Sequence, residues 1–332
     1  MLFRSHVQSW NLNIQREIAP GLAGMIGYIG SKGTHLLIFR NLNQITNSVR
    51  PFPKLSATSP ILPGATLGNI TEADSAGNSS YNALWVAVNK RLSHGLQFNA
   101  SYTWSKSLDY NSNSGAVVIP VVVTDNFNIR GDRGLSDFDA RHRFVINWLY
   151  ELPWRGHRLI EGWQISGITQ LQSGNPVNIV TNLGFTGVLN TVRPDVIGNI
   201  KAIGSPTQWF TNTVCDPRDP LGCPAGAVFA LPVRLEGGVS VFHFGNLGRN
   251  VLTGPGFINT DFAVLKNTKL SERLHLQLRA EIFDIFNHPS FGQPGPIAQV
   301  GSSSFGVISN TRFPTGDSGS SRQIQFAVKL IF

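Results

Sequence analysis

The residues best placed to do chemistry lie in NIRGDRGLSDFDARHR, Asn128 to Arg143. Asp132, Asp137 and Asp139 stand there among Arg130, Arg133, Arg141 and Arg143, with His142 in the same stretch. Carboxylates beside an imidazole could move protons as general acid and base. The same residues also make a charged loop that enters a strand and is held by Arg–carboxylate pairs. The loop role is the expected one, because no G-x-S-x-G, H-E-x-x-H or phosphate-binding loop occurs in the chain. His288, in Asn287-His288-Pro289, is expected to be a turn residue, since Pro cannot donate to a β-ladder and ends pairing. No enzymatic activity and no cofactor are expected.

The two cysteines, Cys215 and Cys223, enclose DPRDPLG, with two Pro and one Gly between them. Two thiols in a loop rich in turn residues are expected to form a disulfide, which an oxidising periplasm or cell surface permits. Two Cys without a nearby C-x-x-C or H-x-x-x-H do not make a structural zinc site.

These residues must be positioned by a chain with little charge. Charged residues are 14%, against about a quarter in a soluble domain, and hydrophobic residues are only 41%. Asn, Gln, Ser, Thr and Gly fill the gap. The net charge of +8 comes without any run of five Lys/Arg, so a nucleic-acid partner is not expected. The most apolar run, Ala116 to Val123, is interrupted by Pro120 and far short of the ~18–20 residues a spanning helix needs. No secretory leader is expected in Met1-Leu2-Phe3-Arg4-Ser5, which runs straight into a strand pattern.

The dominant signal has period two. In Leu96–Ser105, Leu96, Phe98, Ala100, Tyr102 and Trp104 take one face; Gln97, Asn99, Ser101, Thr103 and Ser105 take the other. Side chains on a strand point alternately to opposite faces, so this is a strand with one apolar side. The pattern recurs at Trp10–Ile14, Leu84–Leu92, Phe144, Ile146, Trp148 and Tyr150, and Trp163–Leu171. It recurs again at Leu274, Leu276, Leu278, Ala280 and Ile282, opposed by Gln277, Arg279 and Glu281. The chain closes on Ile324, Phe326, Val328, Leu330 and Phe332. Weaker strands are expected near Leu22–Ile29 and Ile258–Leu265, making about nine in all.

Connections are expected to alternate. Short ones fall at 19–21, 93–95, 153–158 and 267–273; long ones at 32–79, 106–140, 173–256 and 288–321. Short turns on one side and long loops on the other are the habit of outer-membrane barrels, whose aromatics gather at the membrane boundary. The expected fold is all-β: an antiparallel transmembrane β-barrel, present in part. Its lipid-facing residues are expected to be Leu96, Phe98, Tyr102, Trp104, Phe144, Ile146, Trp148, Tyr150, Leu274, Leu276, Leu278, Phe326, Val328 and Leu330. Gln97, Asn99, Gln277, Arg279 and Glu281 are expected to face the lumen. A soluble secreted β-protein binding carbohydrate or a surface partner is the alternative; it would bury the apolar rows against each other.

YNALWVAVNKRLSHGLQFNASYTWSKSLD resembles the barrel hairpins of Oar-like TonB-dependent receptors. So do GDRGLSDFDARHRFVINWLYELP, GWQISGITQLQSGNPVNI, FINTDFAVLKNTKLSERLHLQLRAEIFDIFNHPSFGQP and RQIQFAVKLIF. The resemblance covers most of 80–180 and 257–332, is looser over 1–31, and fades at 182–245. It implies the outer membrane, a larger barrel closed by a plug domain, and energy-coupled passage of a substrate through the TonB system. It also implies that Phe332 is read by the barrel-assembly machinery. Neither plug nor TonB-contacting segment is visible here, and an odd strand count is unusual for a single-chain barrel. The chain is therefore expected to be the C-terminal portion of the barrel.

Overall fold

The computed structural model describes residues 4–45, 49–112, 123–183, 192–312 and 321–332. The apolar run at 116–123 lies outside them except for Val123.

Nine long strands form one antiparallel sheet in chain order: β1 His6–Ala19, β2 Leu22–Asn41, β3 Thr71–Ser93, β4 Leu96–Asp109, β5 His142–Glu151, β6 Trp163–Gln172, β7 Phe257–Lys269, β8 His275–Phe283 and β9 Gln323–Ile331. A two-residue strand, Gly134–Leu135, adds to the end of β4. β1 and β9 are the two edges of this sheet. No described helix is long and apolar enough to cross a membrane.

Local chemistry sets the turns. His94 and Gly95 both take positive φ (53° and 78°) between β3 and β4, the backbone a tight two-residue hairpin requires. Gly95 also approaches β5 closely: a Cβ there would sit 2.6 Å from the Glu151 carbonyl oxygen. Two expectations of extent are corrected. β2 runs on to Asn41 and β3 begins at Thr71, so the connection between them is shorter than 32–79. β7 continues to Lys269, and Leu274 falls in the turn before β8, where its carbonyl accepts the Leu270 and Ser271 N–H groups.

The register places like beside like. Phe98 pairs with Trp148, Tyr102 with Phe144, Leu96 with Tyr150, Leu278 with Val328, and Leu276 with Leu330. Such cross-strand pairs are the unit of sheet stabilisation, each worth roughly 0.2–1 kcal/mol. Two tryptophans lie across glycines of the next strand. A Cβ at Gly30 would come within 2.2 Å of the Trp10 ring, and one at Gly167 within 3.0 Å of Trp148. The register continues one apolar face across all nine strands, from Leu12 and Ile14 to Phe326 and Val328.

Charge is distributed unequally between the faces. In the paired rows of the apolar face stand Arg16, Lys32, Lys90, Lys106 and Lys266, and no Asp or Glu. Lys90 and Lys266 lie toward the short turns and bend into them. Lys266 Nζ donates to the carbonyls of Arg158 (2.7 Å) and Glu161, and Lys90 Nζ to the carbonyl and hydroxyl of Ser93. From Leu96 to Trp104, eight steps of about 3.3 Å make about 26 Å along the strand. At the usual tilt near 40° that is about 20 Å of uncharged height, close to the apolar band of a membrane barrel.

The buried hydrophobic core lies outside this sheet. Val177, Ile179, Phe210, Val214, Phe229, Val233, Leu247 and Phe305 pack together in the long connections after β6 and β8. The rings of Phe210, Phe229 and Phe305 meet edge to face at 5.3–6.3 Å, a geometry worth about 0.5–1.5 kcal/mol per pair beyond burial. Short ladders frame them, including the hairpin Val233–Glu236 with Val239–Phe242. Within the long connection expected at 173–256, the described residues thus form a folded cap.

Candidate functional site

The polar face of β4 to β8 carries the groups that could meet a solute. Gln97, Asn147, Ser166, Asp261, Arg279 and Glu281 line a hollow of about 370 Å³ on it. Their neighbours orient them. Asn99 donates to Asn147 (3.1 Å), Arg279 pairs with Glu281 (2.6 Å), and Asp261 accepts from the Asn259 side chain and the Asp284 N–H (both 3.0 Å). Nearer the short turns, Gln277 donates to Asn267 (2.8 Å), Asn267 to Gln164 (3.2 Å) and Gln164 to Glu151 (3.0 Å). This chain of amides crosses four strands. The residues expected to face the lumen, Gln97, Asn99, Gln277, Arg279 and Glu281, thus all stand on this one face.

The residues expected to face lipid stand on the opposite face, apart from Leu274 in its turn. They are not packed against each other in a dry interior. Trp104 and Leu278, on strands paired on both sides, are 51% and 42% exposed, whereas the soluble alternative requires them covered. Phe332 follows the last residue of β9 and is 97% exposed.

The acidic cluster meets arginines that the sequence reading missed. Arg249 reaches Asp109 (2.6 Å) and Asp137 (2.9 Å), and Arg193 reaches Asp132 (2.6 Å). Neither partner is one of the local Arg130, Arg133, Arg141 or Arg143. Arg249, Arg193, Asp109 and Asp132 are all at least nine-tenths buried. Asp139 accepts the Ser107 N–H at 2.6 Å, and Arg193 also donates to the carbonyls of Leu247 and Gly131. These bonds fasten the cap to the end of β4 and to the 123–141 segment. His142 belongs to the other face. Its ring stacks on Tyr102 and shares a 2.8 Å hydrogen bond with the phenol. The acid–base arrangement considered from sequence is therefore not assembled around His142. His288 lies in the turn after β8, its N–H donating to Asp284. Among the described residues no group of three His, Cys, Asp or Glu is placed to hold a metal ion.

Cys215 and Cys223 are bonded, with Cα atoms 4.9 Å apart, and Cys215 is fully buried in the cap. Inside the loop, Arg218 donates twice to Asp216, at 2.9 and 2.8 Å. The guanidinium holds the Asp216 carboxyl below its ordinary value, against the opposing effect of burial, and is itself raised by the carboxylate. The pair thus contributes stability above the ordinary aspartate pKa, and this is lost as pH falls through the lowered one. The disulfide closes a short loop, and chain entropy gives it about 2.5 kcal/mol. Cys215→Ser with Cys223→Ser is expected to lower cap stability by about that amount. Protease cleavage between 192 and 250 should rise while β1–β9 stay protected; equal resistance with and without reductant would contradict this.

Comparison with curated proteins gives no match. Among solved structures, the outer membrane transporter YddB from Escherichia coli aligns at a TM-score of 0.48 and 9% identity, over 99% of this chain and 33% of that one. The pyoverdine outer membrane receptor FpvA from Pseudomonas aeruginosa PAO1, bound to pyoverdine, aligns at 0.47 and 11%, over 100% and 30%. The chain therefore spans about a third of the length of each. The family model for the outer membrane beta barrel domain matches residues 2–325. With nearly the whole chain matched, this protein belongs to the outer membrane beta barrel domain family and is located in the outer membrane.

Proposed function

We propose that the chain forms part of the wall of an Oar-like, TonB-dependent transporter and carries a substrate across the outer membrane without bond chemistry. The apolar face meets lipid and the polar face meets the lumen. One observation carries this reading: the apolar face has no carboxylate in its paired rows, while the polar face holds Glu151, Asp261, Arg279 and Glu281. Ionised carboxylates in hydrocarbon are costly, so their confinement to one face is what a membrane wall requires. The long connections gather at one end, where a folded cap can select what enters. The motif resemblance supports the TonB-dependent, Oar-like assignment. A plug domain, the TonB system, the barrel-assembly machinery acting through Phe332, and a transported substrate are the partners this reading calls for.

The test compares cells lacking this gene, cells lacking TonB, and cells lacking both. The compounds left in the medium are profiled by mass spectrometry. The expected result is a shared compound left behind in all three strains, with no further loss in the double deletion. Uptake of that compound that persists without TonB contradicts energy coupling.

A further inference from the structure

The five cations of the apolar face are not equivalent. Lys90 and Lys266 are spent on turn carbonyls. Lys32 on β2 and Lys106 on β4 stand at the other border, toward the long connections. Both are exposed, and among the described residues neither side chain makes a hydrogen bond or an ion pair. They flank the same stretch of β3: Lys32 pairs with Ser80, and Asn82 pairs with Lys106. Two strand spacings separate them, about 10 Å across the sheet.

The surroundings offer donors. The Tyr28 hydroxyl donates to Asn82 Oδ1 at 2.6 Å, so the Asn82 amide keeps its N–H₂ donors, and Ser80 stands two residues away on the same face of β3. Directly below lie Trp104, Leu84 and Tyr102, where the uncharged band begins. Two unpaired ammonium groups, an amide and a hydroxyl above an apolar band suit a ligand with a phosphate head and a hydrocarbon tail. A free anion would use the head site but leave the band beneath it unfilled.

We infer that Lys32, Lys106 and Asn82 form a docking site for the phosphate of an anionic membrane lipid, whose chains lie on Trp104 and Tyr102. The inference rests on the lipid-facing reading of the apolar face. A lysine beside an anionic lipid surface strengthens attachment roughly fivefold, so the pair together gives roughly 30-fold.

The test uses the protein as its cells make it, extracted from the membrane fraction in mild detergent. Phosphatidylglycerol is titrated in and the bound lipids are counted by native mass spectrometry, with phosphatidylcholine as the neutral comparison. The expected result is one phosphatidylglycerol held in preference to phosphatidylcholine. Its affinity should fall roughly 30-fold in Lys32→Gln/Lys106→Gln. It should be kept in Lys90→Gln and in Lys32→Arg/Lys106→Arg. Unchanged affinity in the Gln pair, recovered from the membrane fraction, overturns the site. Displacement by equimolar inorganic phosphate also overturns it, by showing a free-anion site. Recovery of the unaltered protein as a soluble species overturns the lipid-facing reading itself, and the inference with it.

Discussion

Ile146→Lys is expected to destabilise the membrane-inserted protein by about 2–4 kcal/mol, while Val145→Lys costs under about 1 kcal/mol. The two residues are neighbours on β5 and differ in side-chain volume by one methylene. Ile146 pairs with Ala100 and Thr169 in the uncharged band; Val145 pairs with Ser101 and Gln170 on the polar face. An ammonium at position 146 sits midway between Phe144 and Trp148, too far from either border for its stem to reach water. At position 145 the same ammonium enters the lumen, where amides and hydroxyls already stand. The difference between the two variants is the informative quantity, because propensity and chain entropy cancel. It is read from urea unfolding of protein reconstituted in lipid vesicles. Equal costs at both positions would mean that the faces do not differ in solvent.

The second large effect is expected at the cap. Arg249→Met leaves the Asp109 carboxylate buried without its cation and frees Asp137. Breaking a buried pair from one side costs about 3–5 kcal/mol, more than the intact pair contributes over an apolar replacement. The loss is local, since the bond joins the cap to the end of β4. Hydrogen exchange should therefore rise across 123–141 and 192–253 and stay slow in β4 to β8. Asp109→Asn added to Arg249→Met should recover a large part of the loss, because a neutral amide is cheaper to bury than a lone carboxylate. Failure of the second substitution to recover protection would show that Arg249 acts through packing alone.

The sheet was legible in the sequence because one physical rule generates it. A face in contact with apolar surroundings repeats every second residue, and Leu96–Trp104, Phe144–Tyr150 and Ile324–Phe332 obey that rule without tertiary information. Strand ends were less legible. β2 and β3 continue past Gly33 and Ser79 through residues with no apolar alternation, because backbone pairing there no longer needs an apolar face. The cap was not legible as a core. Phe210 and Phe229, from the connection after β6, meet Phe305 from the one after β8, and no local period announces a contact of that range. One signal was available, the Gly237-Gly238 pair inside VRLEGGVSVF, a hairpin sequence whose glycines both take positive φ (58° and 82°). The arginine clamps were invisible for the same reason: Arg193 lies 61 residues from Asp132, and Arg249 lies 140 and 112 residues from Asp109 and Asp137. Local charge counting pointed instead to Arg130 and Arg133.

Single cysteines placed in turn at 96 to 105 of β4, in a Cys215→Ser/Cys223→Ser background, test the division of the two faces most directly. Each variant, inserted in the outer membrane, is exposed to a water-soluble maleimide and, separately, to a quencher confined to the hydrocarbon phase, read by a fluorophore on the thiol. Strict alternation is expected: 97, 99, 101, 103 and 105 react with the maleimide, and 96, 98, 100, 102 and 104 are quenched from the lipid. Uniform labelling along the strand, or quenching at the odd positions, would contradict it.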